Sequence, residues 1–218
     1  WLIRLDWLMS SRADSSRPWN WYSDKEKGGG VIGALGTHAF DILHWLCGTT
    51  KTVTGLTNTS LRERLDPKSN KTRKVTSEDV ALAELEIENP SNGKTIPTQV
   101  SLSSVSREGR GFLLEIYGSD GTLSLSSNNQ KDYVHGFVLS LAKSPGKLAP
   151  ITNSEEFSFP STWSDGRIAP VARLQHWWSK SIRNKTPMIP GLSEAYLSQK
   201  VCDELKESSI SGLRKTIA

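Results

Sequence analysis

Residues 28–48 read GGGVIGALGTHAFDILHWLCG, and two different structures can be written on them. Gly28, Gly30 and Gly33 have the G-x-G-x-x-G spacing of a dinucleotide-binding turn. That turn must follow a buried strand and be answered about 20 residues later by an acidic side chain behind a second strand. Residues 23–27, Ser-Asp-Lys-Glu-Lys, are too polar for the first strand, and the acidic partner is missing. The spacing is therefore read as chance. As a helix at about 100° per residue, the stretch places His38, Asp41 and Trp45 on one face, with Ala34 a turn earlier. Leu35, Ile42 and Leu46 fall on or beside the flank that would pack against a sheet. An imidazole titrating near 6.5 can take or return a hydroxyl proton at neutral pH, and a carboxylate one turn away can orient it or hold a substrate hydroxyl. The same spacing also suits a hydrogen-bonded core histidine with a buried partner, the reading that spacing alone favours, and both readings stand. His38, Asp41 and His44 do not make a metal site, because His44 points about 120° away from His38 on a helix.

On the N-terminal side, residues 1–9 alternate loosely like a strand and lead into a polar loop, 10–18. Trp19, Trp21, Tyr22 and the charged run 24–27 follow. On the C-terminal side, residues 53–141 turn to period two. Ala81, Ala83, Leu85 and Ile87 alternate with Glu84, Glu86 and Glu88, the pattern of a half-exposed antiparallel strand. Residues 89–93 (NPSNG) are turn chemistry, with a return strand over 98–105, and Phe112, Leu114 and Ile116 alternate toward the Asp120-Gly121 hairpin. The basic stretch 62–74, RERLDPKSNKTRK, lacks an apolar face and reads as a solvated loop. Two helices close the chain. One has Pro170 in its first turn and spans 171–183; the other begins at Ser193 and runs to about Ser208. Trp177 and Trp178 cannot both face a core, so one of them is expected at an interface. The order of elements predicts an α+β fold, an open-faced and mostly antiparallel sheet with helices gathered on one face.

The 218 residues suit one large domain or two small ones, and eight Trp imply a sizeable core or an aromatic cleft. Cys47 and Cys202 give neither a disulfide framework nor metal spacing and read as buried thiols in a reducing, cytoplasmic setting. The net charge of +4 is interleaved rather than concentrated, which argues against a nucleic-acid partner. No apolar run is long enough to span a membrane, and no signal peptide is seen. The Asn-x-Ser/Thr matches at Asn58, Asn70 and Asn184 are treated as chance. A chain that starts at Trp1 in strand-like sequence reads as part of a longer polypeptide.

The glycine triplet followed by Gly36, His38, Asp41, Trp45, Leu46 and Gly48 resembles the start of the C-terminal domain in the glucose-fructose oxidoreductase/inositol dehydrogenase (Gfo/Idh/MocA) family. Ser77-Glu78-Asp79-Val80, the IYGSDGTL stretch at 116–123 and the closing helices resemble it too. The resemblance implies a glyceraldehyde-3-phosphate dehydrogenase-like C-terminal fold over residues 1–218, responsible for substrate binding and oligomer contacts. It also implies an N-terminal Rossmann domain, outside this chain, that binds NAD or NADP and supplies a catalytic Lys. Such a parent would move hydride to or from a sugar, polyol or related hydroxy/oxo compound, and this chain alone would be inactive. His38 would then be the general acid/base. Asp41, Ala34, Trp21 and Tyr133 are expected around the substrate, and Gly29 and Gly30 beside the cofactor; His135 and Arg167 are weaker candidates. Many family members carry Asp four residues before the His, where this chain has Ala34. That departure keeps open a non-catalytic scaffold or sensor. A homo-oligomer through the sheet face is the expected assembly.

Overall fold

The alternation at residues 80–88 does form a strand, and it lies near the centre of a large sheet. A computed structural model of the chain describes residues 1–129, 136–152 and 154–217. Its strands are β1 (Leu2–Leu8), β2 (Thr49–Asn58), β3 (Glu63–Asp66), β4 (Lys71–Lys74), β5 (Val80–Glu88), β6 (Thr95–Ser103), β7 (Gly111–Tyr117), β8 (Gly121–Ser127), β9 (Val138–Lys143), β10 (Ala149–Pro150) and β11 (Lys215–Thr216). The helices are α1 (Thr37–Cys47), α2 (Ile168–Asn184) and α3 (Leu192–Ser211), and a π-helical turn, Ile32–Gly36, runs directly into α1. Nine strands make one sheet in the order β10-β9-β8-β7-β1-β6-β5-β2-β11, antiparallel throughout except for β1 beside β6.

Period-two side chains divide this sheet into two faces. Ile3 and Leu5 of β1, Val53 of β2, Ala81, Ala83, Leu85 and Ile87 of β5, Val100 and Leu102 of β6, and Phe112 and Leu114 of β7 are all buried in one core. Helices α1 and α3 close that core with Phe40, Leu43, Val201 and Leu205. Each of the buried Ile, Leu, Val and Phe side chains contributes roughly 1.5–3 kcal/mol through removal from water. Gly55 lets α3 settle onto β2, because a β-carbon there would fall on the Leu205 side chain. Ser208 then spans the gap, accepting from the Gly55 amide at 3.0 Å and donating to the Leu213 carbonyl at 2.7 Å. On the opposite face Leu56, Leu82, Glu84 and Gln99 are exposed.

Two local expectations change. Residues 62–74 are not a simple loop: β3 and β4 pair as a separate two-stranded hairpin. Its anchor is Trp19, whose indole donates to the Lys74 carbonyl at 3.0 Å while the Arg73 guanidinium lies 3.4 Å from the ring centre. Leu46, expected on the sheet flank, is 47% exposed; the buried stripe of α1 is Ala39, Phe40, Leu43 and Cys47. Helix α2 exposes both Trp177 and Trp178, so, as expected, they do not both face the core. Its Arg173 instead reaches the Phe157 and Ser158 carbonyls and stacks on Phe159. Among the described residues no helix is long and apolar enough to cross a membrane.

Candidate active site

The chain approaches α1 through two short 3-10 turns, Trp21–Ser23 and Lys25–Lys27. Gly28 ends the second at φ 70°, a left-handed conformation that glycine adopts without a β-carbon clash. Gly29 and Gly30 are buried. Their amides donate to the Asp24 and Tyr22 carbonyls, each at 3.0 Å, so neither is free to hold a cofactor phosphate. A β-carbon on Gly29 would strike the Tyr22 and Trp21 carbonyls, and one on Gly30 would strike the Glu78 carboxylate. The triplet thus permits close approach of three chain segments at the start of the helix.

His38 lies on the first turn of α1 and is exposed. Its ring centre is 6.3 Å from that of Trp7, at the far end of β1, with the planes tilted by 50°. Trp7 meets Phe112 edge-on at 5.3 Å, and Phe112 meets Phe137 at 5.6 Å, so the imidazole borders an aromatic wall. Asp41 is half-buried one turn on, and no hydrogen bond or ion pair joins it to His38. Ala34 is half-buried within the π turn, its amide bonded to the Gly30 carbonyl at 3.1 Å. Because that turn is wider than an α turn, the 100° spacing does not carry from Ala34 to His38.

Trp21 is 56% exposed beside the glycine triplet, its ring edge-on to Tyr22 at 5.8 Å. Trp19 packs against the β3–β4 hairpin. Tyr133 and His135 lie outside the described residues. Arg167 pairs with Asp165 of its own loop at 2.6 Å. A cavity of about 420 Å³ beside α2 is lined by Phe159, Trp163, Arg173, His176 and Trp177, and His38 does not border it.

His44 is a structural residue. Its Nε2 lies 2.8 Å from the Thr50 hydroxyl, and burial lowers its pKa to about 4, so the ring is neutral. Burial raises the Cys47 thiol to about 11 and Cys202 to about 12, which leaves both unreactive as nucleophiles. Among the described residues no group of three His, Cys, Asp or Glu side chains is placed to hold a metal ion.

One functional-looking group was not singled out from the sequence. Glu78, in the loop before β5, accepts the Val31 amide through its backbone carbonyl at 2.9 Å and the Ile32 amide through its carboxylate at 3.0 Å. The only sequence signal was its place in the Ser77-Glu78-Asp79-Val80 match.

Residues 3–215 match the Gfo/Idh/MocA oxidoreductase family, C-terminal alpha/beta domain. The chain is 41% identical over 208 residues to an uncharacterized oxidoreductase of Synechocystis sp., covering 95% of this chain and 55% of that protein. It therefore spans about half the length of this curated relative. Levoglucosan dehydrogenase in complex with NADH and levoglucosan shares the fold with a TM-score of 0.80 at 18% identity, over 100% of this chain and 58% of that one. A super-repressor mutant of Gal80p from Saccharomyces cerevisiae does so with a TM-score of 0.71 at 12% identity, over 99% of this chain and 58% of that one.

Proposed function

The chain belongs to the Gfo/Idh/MocA oxidoreductase family as its C-terminal alpha/beta domain, and from that premise we propose that it is the substrate side of a nicotinamide-dependent dehydrogenase in which His38 exchanges a proton with the substrate hydroxyl. The observation that carries this reading is the exposure of His38. An imidazole beside an aromatic wall, with no hydrogen-bond partner among the described residues and open to a docking ligand, is placed as a general acid/base is; His44, by contrast, is half-buried and bonded to the Thr50 hydroxyl. Nearby NADH-bound relatives of this fold support a nicotinamide cofactor, which when bound gives or takes a hydride. The Gly29 and Gly30 amides are already used, so this chain meets the reactive end of such a cofactor, and an N-terminal domain outside residues 1–218 holds its phosphates. Trp7 and the exposed Trp21 offer flat apolar surface to the C–H face of a sugar or polyol, and Asp41 is one turn from the proton-transfer group. Alone, the chain has no hydride carrier and is inactive.

Two measurements on the full-length protein test this. NADH and NADPH titrations followed by fluorescence should give saturable binding. His38→Ala should then lower turnover of the best sugar or polyol at least about 10²-fold with nucleotide affinity unchanged. Normal turnover in the variant would remove His38 from the chemistry.

A second reading rests on Ala34, which stands where many family members have Asp, and on the lack, among the described residues, of any group bonded to the His38 ring. The parent would then be a ligand sensor that keeps the fold without hydride transfer. Saturable nucleotide binding with no turnover across a panel of sugars, polyols and their oxo forms would favour it.

A further inference from the structure

We propose that Glu78 is a positioning residue for His38, acting by fixing the π turn from which α1 starts. The first amides of any helix have no partner within it, and here one side chain with its own backbone answers two in succession. The Glu78 carbonyl accepts Val31 N–H at 2.9 Å and its carboxylate Oε1 accepts Ile32 N–H at 3.0 Å. The carboxylate fills the space that a β-carbon on Gly30 would need, and the backbone there has φ 101°, so only glycine fits beside it. The next five residues, Ile32–Gly36, are π-helical, and α-helix resumes at Thr37, one residue before His38.

A π turn holds one residue more than an α turn, and one extra residue swings every later side chain by about 100°. The direction of His38 is therefore set by whether residues 32–36 wind as π or as α. At the far end of the turn Gly36 is buried, and a β-carbon there would sit tightly against the Cys202 sulfur at 3.2 Å and the Ile32 side chain at 3.3 Å. At the near end the fixed point is Glu78, whose own loop is held. Ser77 donates to the Tyr22 carbonyl at 2.7 Å, and the Asp79 carboxylate accepts from the Ser60 and Leu61 amides. Burial pushes the Glu78 carboxyl above the usual range, opposed by its amide hydrogen bonds and by Lys206 on α3.

The role in catalysis rests on the reading of His38 above, whereas the geometric claim does not, and the test separates them. In this chain, NMR follows the NOE between the His38 and Trp7 rings. Glu78→Gln keeps an oxygen for the Ile32 amide and should keep the NOE. Glu78→Ala should lose it while the protein remains folded. Should the Ala variant not fold, Glu78→Asp, one methylene too short to reach Ile32, should show the same loss. In the full-length protein the Ala or Asp variant should lower kcat about ten- to a hundredfold with KM within twofold, and Gln should restore it. A folded Ala or Asp variant with the NOE intact overturns the proposal, as does a Gln variant that behaves like Ala. If the NOE moves as expected but His38→Ala itself leaves turnover normal, the catalytic reading fails and the positioning of the ring stands.

Discussion

His44 illustrates how burial turns a titratable side chain into a structural one. Its ring is neutral in the folded protein down to a pH of about 4, whereas an unfolded histidine protonates near 6.5. Between those values the unfolded chain binds a proton that the folded chain refuses. The contribution of His44 is thus complete above about pH 6.5 and is lost progressively as pH falls toward 4. The ring is partly solvated, so the loss stays under about 3 kcal/mol. His44→Gln, which can still bond Thr50, should flatten the dependence of urea-unfolding free energy on pH between 4.5 and 6.5; superimposable slopes for the two proteins would contradict the burial assignment. This residue and His38 are six apart on one helix, and their different fates were partly legible. Helical geometry in the sequence placed them on different faces, which excluded a shared metal. It did not show which face would be sealed, because that depends on Thr50 and the sheet beneath.

At the scale of elements, the unit formed by the π turn and α1 is bracketed by backbone conformations that glycine adopts most easily. Gly30 at φ 101° opens it, and Gly48, at φ 122° and ψ −173°, closes it in a region reserved for glycine. A β-carbon on Gly48 would also strike the Glu88 carbonyl, because the chain turns there into β2 beside the end of β5. Gly48→Ala should therefore cost roughly 1–3 kcal/mol, read as a lower urea midpoint with an unchanged slope; an unshifted midpoint would show that the helix end is free to rearrange. Both glycines were visible in the 28–48 motif, and the structure supplies their reason. The π turn between them was not visible. Nothing in the residues 32–36, IGALG, distinguishes π from α winding, since the determinants are Glu78, 46 residues beyond Ile32, and Cys202 on α3. The β3–β4 hairpin escaped for the same reason. Its strands are too polar to announce themselves, and they are held by Trp19 and by the buried Arg64, which donates to the Asp14 and Arg17 carbonyls.

For the molecule as a whole, the alternating strands made the two-faced sheet legible, and the order of elements placed helices on one side of it. What alternation could not give was strand order. The parallel contact of β1 with β6 and the pairing of β11 with β2 join residues about 95 and 160 positions apart, and only the packed core selects them. The uncovered face has its own consequence. Leu56 and Leu82 stand directly opposite one another on β2 and β5, 62% and 44% exposed, with Glu84 and Gln99 alongside. Single exposed leucines are ordinary. A cross-strand pair within a broad sheet face is suited to a second copy related by a two-fold axis, where each pair meets its symmetry mate. A stable interface of that kind buries about 800 Å² per partner, an area such a face can supply. Light scattering should therefore report a dimer or larger assembly for this chain, and Leu82→Glu should shift it to monomer with the circular dichroism unchanged, because the substituted side chain points away from the core. A monomer at every concentration before substitution would remove the sheet face as an assembly surface, and an oligomer insensitive to Leu82→Glu would move the contact to another surface, of which the exposed Trp177 and Trp178 of α2 are the next to test.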